Sequence, residues 1–377
     1  MEHYDYIICG AGLAGLSLAM RLSEPEYSHL KVLVVDRDRK KTNDRTWSFW
    51  IRPEEQRFPE LYLKTWDRLA FYGDRVDRTF DISPFQYHTI RGIDFYNHAL
   101  AKIDEVDHIS FAHGDVRQVQ NHGDIVLVQL GDQKVSCRYA IDSIVRSFPE
   151  DNKLFVWQHF MGWEVESDVD HFDDEVATYM DFRIDQAGEF RFVYVLPFSK
   201  KKALVEVTFF SKDICTEDVY EDILSDYMST YYPQLKYRVT NREIGKIPMT
   251  TSPFSKQNGR IIPIGTNNAT VKPSSGYAFV RIQNEVDEMA KLILEERPRA
   301  IGHRKKYIGY DKTLLNVLVT NKEEGKKIFS TMFRDNDPAR VLKFLNEETS
   351  LIEEFSFFNS LPRWSFTKAW IEENVFG

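Results

Sequence analysis

The chain has 377 residues, a formal net charge of −9 and an aromatic content of 14%. A chain of this length can bury a large core and is expected to form two or three units, and its acidic balance argues against nucleic-acid binding. Cys9, Cys137 and Cys215 are widely spaced and lack metal-ligand spacing, so we expect no bound metal and a reducing, cytoplasmic location. No apolar run approaches the roughly 18 residues of a membrane-spanning helix, so we expect a soluble protein or one that lies on a membrane surface.

The N-terminal segment, up to about Asp38, predicts a strand, a glycine turn, a helix and a second strand. Gly10, Gly12 and Gly15 fit the pattern G-x-G-x-x-G between an apolar strand and a helix. Glycines at these places permit a tight turn, approach of backbone to a pyrophosphate, and close helix packing, while Asp36 is placed to bind ribose hydroxyls. The motif predicts a dinucleotide site without separating FAD from NAD, and a glycine turn that merely packs is the alternative. The residues predicted to bind the dinucleotide here are Gly10, Gly12, Leu13, Ala14, Gly15 and Asp36.

The middle of the chain predicts an antiparallel sheet inserted into a parallel one. A helix predicted from Ile93 to Ile103 leads into alternating, strand-like stretches at 109–145. Residues 154–211 hold several strand-like pieces, the last two joined by a lysine-rich turn, and a helix is predicted at 216–231. The strand-like pieces are FMGWEVE, ATYMDFRI, EFRFVYVL and ALVEVTFF.

The strand ALVEVTFF, residues 203–210, carries one carboxylate among apolar side chains. Glu206 shares a pleat face with Leu204, Thr208 and Phe210. Burying an unpaired carboxylate is costly, and a buried carboxyl group usually stays protonated. Two interpretations remain open from the residues: Glu206 faces water on a solvated sheet face, or it is a neutral acid held in an apolar pocket for chemistry.

The late segment, residues 263–290, predicts a strand, a glycine turn and a second helix. The strand RIIPIG ends at Gly265, and Gly276 precedes a helix predicted from about Tyr277 to Glu296. The N-terminus of such a helix offers a positive end to a cofactor, although an ordinarily capped helix is the simpler interpretation. After about residue 303 the pattern is helical to the end of the chain.

Six motifs in this sequence resemble the flavin-dependent lycopene cyclases of carotenoid biosynthesis, in their order and approximate spacing. The motifs are NDRTWSFW (43–50), FMGWEVE (160–166), MDFRIDQ (180–186), LPFSKKKALVEVTFFS (196–211), GKIPM (245–249) and KPSSGYAF (272–279). The tail is similar as well, through DKTLLNVL (311–318), IFSTMF (328–333) and VLKFL (341–345). The resemblance therefore covers almost the whole chain.

The resemblance implies an α/β fold with three parts. An FAD-binding, Rossmann-like domain of the aromatic-hydroxylase type would comprise residues 1–150 and 240–300. An inserted antiparallel-sheet substrate domain would comprise residues 151–239, and a C-terminal helical region residues 301–377. The resemblance also places Arg45, Gly265 and Gly276 at the FAD site.

Two loops depart from the family's pattern. Residues 142–145 lack the glycine that the family usually carries after its central strand, and Asn267, Asn268 and Ala269 stand in a loop that is usually glycine-rich. Both loops are expected near the flavin.

The activity implied by the resemblance is redox-neutral cyclisation of the acyclic ends of lycopene, or of a related carotene, to β-ionone rings. Glu206 corresponds to the catalytic glutamate of the family, reduced FAD is the implied cofactor, and NAD(P)H is the implied external reductant. Protonation of the terminal double bond, closure of the carbocation and loss of a ring proton move no net electrons. The alternatives are an FAD-dependent hydroxylase or isoprenoid reductase of the same fold, and a non-catalytic protein that binds carotenoids or lipids.

Other side chains have a structural and a functional interpretation. Glu164 and Glu166 share one strand face, and Asp181 and Arg183 share another. These residues are expected to pair with charges or water, and the alternative is that one of them orients Glu206. The aromatic residues that either line a substrate tunnel or pack the core are Trp163, Phe182, Phe190, Phe192 and Tyr194. The aromatic and basic tail at 355–370 suits a membrane interface, which predicts peripheral membrane association.

Overall fold

The computed structural model describes residues 1–149, 152–252 and 254–361. Within these ranges the chain forms three β-sheets and a set of α-helices. The strands are β1 (His3–Cys9), β2 (Val32–Asp36), β3 (Thr46–Ile51), β4 (Lys64–Trp66), β5 (Arg68–Gly73), β6 (Val76–Asp81), β7 (Gln86–Arg91), β8 (Ile109–His113), β9 (Val116–His122), β10 (Ile125–Leu130), β11 (Gln133–Asp142), β12 (Val156–Ser167), β13 (Val176–Asp181), β14 (Phe190–Ser199), β15 (Lys202–Ser211), β16 (Tyr237–Met249) and β17 (Ile261–Pro263). The helices are α1 (Leu13–Leu22), α2 (Gly92–Asp104), α3 (Glu217–Tyr231), α4 (Phe279–Leu294), α5 (Lys305–Thr320), α6 (Lys322–Asp335), α7 (Pro338–Leu345) and α8 (Leu351–Ser360).

The first sheet holds the glycine motif. Its strand order is β8-β2-β1-β11-β10-β9, with β17 also paired to β11. β8, β2, β1, β11 and β17 pair in parallel, whereas β9 and β10 form an antiparallel extension. Continuous apolar runs such as VLVVD in β2 suit a sheet whose two faces are both covered. Helices α1, α2 and α4 cover one face of this sheet and share its core.

The second sheet holds Glu206. Its strand order is β16-β12-β15-β14-β13-β5-β6, and all of its pairs are antiparallel except β13 with β5. Alternation along β15 divides its side chains: Val205, Val207 and Phe209 pack on the α3 side, while Leu204 and Phe210 join the core beneath α5 to α8. Glu206 therefore lies on the face that the C-terminal helices share.

The fold agrees with the predicted class, a Rossmann-like domain combined with an antiparallel sheet and C-terminal helices. The second sheet, however, extends beyond residues 151–239, because β5 and β6 join one end of it and β16 continues to Met249 at the other. Five short strands in residues 46–91, β3 to β7, escaped sequence analysis; β3, β7 and β4 form the small third sheet. Short strands carry few alternations, so their period is hard to recognise.

Candidate active site

A cavity of about 470 Å³ lies between the glycine turn of the first sheet and the Glu206 face of the second. It brings together residues that are far apart in the sequence. Its wall includes the start of α1, the segment 44–48, parts of β14, β15 and β16, and the loop 275–279 before and at the start of α4. The predicted site residues that line it are Gly12, Leu13, Ala14, Arg45, Glu206 and Gly276.

The three motif glycines meet different needs at the start of α1. Gly10 has φ +98°, and a Cβ there would collide with Oγ of Ser143. A Cβ on Gly15 would collide with the carbonyl oxygen of Gly10, so this glycine allows α1 to pack against β1. Gly12 is different, because a Cβ there would meet nothing within 4 Å. The space beside Gly12 therefore belongs to the cavity.

Asp36 lies at the end of β2 but does not line the cavity. Its carboxylate accepts hydrogen bonds from the backbone N–H groups of Ala11, at 2.6 Å, and Asp38, at 2.7 Å. Lys40 Nζ lies 3.4 Å from Asp36 Oδ2. The carboxylate thus fixes the turn that precedes α1.

Arg45 does line the cavity, from the loop before β3. Its guanidinium pairs with Asp44, at 2.7 Å between Nη2 and Oδ2, and the side chain remains half exposed. The negative charge of Asp44 therefore largely offsets the positive charge of Arg45 on this part of the cavity wall.

Gly265 and Gly276 bound the loop between β17 and α4, and both have positive φ, +63° and +73°. A Cβ on Gly265 would lie 2.7 Å from Cβ of Ala14, and one on Gly276 would collide with Oε1 of Gln158. Helix α4 begins at Phe279, two residues later than predicted, because the left-handed turn at Gly276 delays helical geometry. Of these two glycines, Gly276 lines the cavity.

The loops that depart from the family pattern are bonded to each other. The buried Asn267 side chain donates through Nδ2 to the carbonyl oxygen of Asp142, at 3.0 Å. Asn268 donates to Oε1 of Glu285, at 2.6 Å, and Glu285 Oε2 accepts the N–H of Gly265, at 2.8 Å. Burial raises the pKa of Glu285 to about 7. The side-chain amides of Asn267 and Asn268 therefore stabilise this loop, where the family usually has glycines.

Two buried polar atoms on the cavity wall have no hydrogen-bond partner among the described residues. They are Oε1 of Gln158 and Oγ of Ser275. Buried polar groups in folded proteins are nearly always satisfied, so orphaned polar atoms on residues of a cavity wall are consistent with a polar ligand. Together with the open space at Gly12, they fit a dinucleotide lying between the start of α1 and the loop before α4.

Glu206 faces the same cavity from β15. Thr208 Oγ1 donates to its Oε1 at 3.0 Å. The side chain keeps a partial exposure because it opens into the cavity, yet the protein surrounds it densely. This desolvation, reinforced by the neighbouring Glu243, raises the pKa of Glu206 to about 8. A protonated carboxyl group at neutral pH is an acid able to donate a proton.

Glu243, which neighbours Glu206 although it does not line the cavity, was not predicted from the sequence. It lies on β16, is 7% exposed, and accepts hydrogen bonds from the N–H and Oγ1 of Thr46, each at 2.7 Å. Burial raises its pKa, and the two bonds from Thr46 oppose that rise. A signal was present in the sequence, because Glu243 lies two residues before the motif GKIPM and shares a strand face with its glycine.

The aromatic residues predicted to line a tunnel divide into two groups. Tyr194 lines the cavity, together with Tyr87 and Tyr277, which were not predicted. Of the others, Phe182, Phe190 and Phe192 are fully buried in the core beneath the C-terminal helices. Trp163 points to the α3 side of the second sheet. These four side chains therefore pack in the hydrophobic cores on the two faces of the second sheet and do not line the cavity.

The three other strand carboxylates are paired. Glu164 Oε1 lies 2.5 Å from Lys202 Nζ, and Glu166 Oε1 lies 3.0 Å from Arg238 Nη2. Asp181, which is fully buried, accepts from the Arg183 guanidinium and from Tyr227 Oη. Pairing with charges, as expected from the sequence, accounts for each of them.

The described ranges contain neither a group of side chains arranged for a metal ion nor a membrane-spanning helix. No group of three or more His, Cys, Asp or Glu side chains there is arranged to hold a metal ion. No helix among residues 1–149, 152–252 and 254–361 is both long and apolar enough to cross a membrane.

Comparison of the sequence with known proteins gives a family match over nearly the whole chain. The family model described as lycopene cyclase protein matches residues 5–370. Lycopene beta-cyclase of Paracoccus sp. (strain N81106 / MBIC 01143) is 25% identical over 307 residues, which are 77% of this chain and 74% of that protein.

Comparison of the fold with solved structures gives the same architecture at low identity. A geranylgeranyl bacteriochlorophyll reductase-like protein from Thermoplasma acidophilum has a TM-score of 0.62 and 11% identity, over 99% of both chains. The halogenase PltM, in complex with phloroglucinol and FAD, has a TM-score of 0.59 and 12% identity, over 99% of this chain and 93% of its own. At this identity the likeness establishes the fold alone. Since the family model matches nearly the whole chain, the chain belongs to the lycopene cyclase protein family.

Proposed function

We propose that this protein cyclises the acyclic ends of lycopene, or of a related carotene, to β-ionone rings with reduced FAD and without net redox change. The observation that carries the proposal is Glu206, a carboxyl group with a raised pKa, on the wall of the cavity that also contains the glycine turn. Family membership supplies the substrate class. Residues 151–239, with the neighbouring strands of the second sheet, are proposed to hold the substrate.

Five of the residues proposed to hold FAD line the cavity, and the other four lie in or beside the turns that bound it. The backbone at the start of α1 would bind the pyrophosphate, because free N–H groups and the helix dipole both favour an anion there. These FAD-binding residues are Gly10, Gly12, Leu13, Ala14, Gly15, Asp36, Arg45, Gly265 and Gly276. Reduced FAD, when bound, supplies negative charge beside the substrate. NAD(P)H is proposed as the external reductant.

Glu206 is proposed to start the reaction by proton donation. Its proton passes to the terminal double bond of the substrate, a C–H bond forms, and a carbocation is left on the adjacent carbon. A neighbouring double bond attacks this cation and closes the ring, and the ring then gives up a proton that returns to the Glu206 carboxylate, directly or through water. One proton enters and one leaves, so the isomerisation consumes no electrons.

The cavity wall suits a cation. Tyr87, Tyr194 and Tyr277 present aromatic rings to the cavity, and ring faces attract positive charge. Tyr277 Oη donates to Tyr179 Oη at 2.7 Å, which fixes the orientation of the Tyr277 ring.

The test is product formation by the purified protein, reconstituted with FAD and pre-reduced without oxygen. Supplied with lycopene in lipid vesicles, it is expected to form β-ionone rings over many turnovers without more reductant. Glu206→Gln keeps the shape of the side chain but removes the acidic proton, so the rate is expected to fall by at least about a hundredfold with FAD still bound. Glu206→Asp, which keeps the acid at a shorter reach, should retain a small activity.

Three outcomes would contradict the proposal. Product that stops at one equivalent per flavin would indicate a redox reaction such as reduction or hydroxylation. Absence of any product, with lycopene bound, would indicate a carrier. A fast Glu206→Gln variant would assign the donor to another group.

Association with a membrane surface from the cytoplasmic side is part of the proposal. A forty-carbon hydrocarbon has almost no solubility in water, so the enzyme must collect it from a bilayer. Helix α8 exposes Leu351, Ile352 and Phe355, which are 73%, 84% and 73% exposed. The rest of the predicted interfacial tail, residues 362–370, lies outside the described residues.

A further inference from the structure

Three neighbouring strands place two carboxyl groups in one row. Glu206 on β15 and Glu243 on β16 are both paired with Gly162, on the strand β12 between them. Paired residues in antiparallel strands point to the same face, and each strand step is about 5 Å. The Cα atoms of the two glutamates are therefore about 10 Å apart, and the glycine between them carries no side chain.

Glu206 leans toward this glycine. A Cβ on Gly162 would lie 3.5 Å from Oε2 of Glu206 and 2.8 Å from Cδ1 of Leu204. The other carboxyl oxygen, Oε1, accepts a hydrogen bond from Thr208 Oγ1. The free oxygen of Glu206 consequently faces the gap over Gly162, with Glu243 on the far side.

The surroundings of the two carboxyl groups differ. Glu243 accepts two bonds from Thr46, one to each oxygen, while the paired charges of Arg45 and Asp44 act on its pKa in opposite directions. Glu206 accepts a single side-chain bond from Thr208. Two donors favour a carboxylate at Glu243, whereas desolvation with one donor favours a neutral acid at Glu206.

We propose that Glu243 is a positioning residue, whose carboxylate, fixed by Thr46, keeps the shared proton of the pair on Glu206 beside the cavity. The proposal rests on Glu206 as proton donor and adds the group that keeps it protonated. Glu243 itself forms no bond to the substrate. The charge of Glu243 raises the pKa of Glu206 across the gap over Gly162, and carboxyl groups that interact in this way titrate as a pair.

The other groups that face Glu206 do not replace Glu243 in this role. Burial raises the pKa of Tyr194, on β14, and of Tyr87, on β7, well above the usual range, so both phenols stay neutral. Thr208 carries no charge. The remaining charged residues on the cavity wall are Asp44, Arg45 and Lys246. Asp44 and Arg45 pair with each other, and Lys246 Nζ lies over the Trp157 ring, 4.6 Å from its centroid.

The experiment follows the carboxylic acid directly. In FAD-loaded protein, the infrared band of a protonated carboxyl group that is lost in Glu206→Gln is titrated with pH, and the rate of cyclisation is measured over the same range. In Glu243→Gln, the midpoint at which the band disappears is expected to fall by about one pH unit, because a neighbouring negative charge has been removed. The pH above which activity declines should fall by the same amount, while the rate at pH 6 falls less than about fivefold.

Two further variants test whether the shift arises from Glu243. Thr46→Val removes one of the two donors to Glu243 and is expected to shift both midpoints in the same direction by a smaller amount. Glu166→Gln removes a carboxylate from β12 that Arg238 already pairs, and should move neither midpoint. An unchanged midpoint in Glu243→Gln would overturn the proposal, as would a loss of activity at every pH with the infrared midpoint unmoved.

The same measurements separate this proposal from the proposed function. If Glu206→Gln cyclises lycopene at nearly the normal rate, Glu206 is not the donor and both proposals fail. If Glu206→Gln is inactive and Glu243→Gln titrates as the natural protein does, only the role of Glu243 fails.

Discussion

At the scale of single residues, Glu206 shows how a strand position becomes a candidate catalytic position. Val205 and Val207 on either side of it pack against the α3 side, which is an ordinary core. Glu206 points the other way, into the cavity, and Glu243 is near. The chemistry of the position is therefore set by which face the strand alternation selects.

The raised pKa of Glu206 predicts how stability changes with pH. The pKa is about 8 in the folded protein and near 4.5 when unfolded, so the folded state holds more protons between these values. Folded-state stability conferred by the neutral acid is fully present below pH 4.5 and is lost as pH rises through 8. Glu206→Gln should therefore have a larger free energy of unfolding than the natural protein at pH 9, by up to about 5 kcal/mol.

Denaturant unfolding of the flavin-free protein at pH 5 and pH 9 measures this difference. Because all other groups are shared by the two proteins, the change in the difference between these pH values reports Glu206 together with its interaction with Glu243. An equal difference at both pH values would show that Glu206 is solvated like a surface carboxylate.

At the scale of elements, the turn before α1 leaves open space beside Gly12. Gly12 has φ −79° and ψ −168°, which a valine adopts readily, and its Cβ position is open. Gly12→Val is therefore expected to fold normally but to lose FAD, because its methyl groups fill the place proposed for the pyrophosphate. The flavin absorbance retained after purification, and thermal unfolding without flavin, are the two measurements.

The exposed Gly302 supplies the matched control, because a Cβ there also meets nothing within 4 Å. Gly302→Val should keep its flavin. Full flavin occupancy in Gly12→Val would place the cofactor elsewhere.

At the scale of the whole molecule, access to a hydrocarbon requires a surface that meets the bilayer. Ile352 on α8 is 84% exposed, and burial of one such side chain in lipid is worth about 1.5–3 kcal/mol. Ile352→Glu is expected to reduce sedimentation with lipid vesicles by about tenfold while the soluble protein unfolds at an unchanged temperature.

Ile214, which is 44% exposed before α3 and belongs to another face, serves as the control position. Ile214→Glu should bind vesicles like the natural protein. Equal binding by both variants and the natural protein would remove α8 from the membrane-contacting surface.

The sequence by itself determined the local features of this protein. The glycine motif, the amphipathic helix α4 and the alternation in β15 are periodic signals over short distances, and residues such as Gly12 and Glu206 were found from them. The order of motifs also predicted the family, which the match over residues 5–370 confirms.

Only the tertiary structure decided which of these features meet. The coupling of Glu206 to Glu243 depends on β15 and β16 flanking β12, and no local pattern specifies that strand order. Tyr87 and Tyr277 likewise reach the cavity from segments that are distant in the sequence. Phe190 is buried because the C-terminal helices pack on its side of the sheet. Periodicity reports which face of an element is apolar, but the partner that covers the face is chosen by long-range packing.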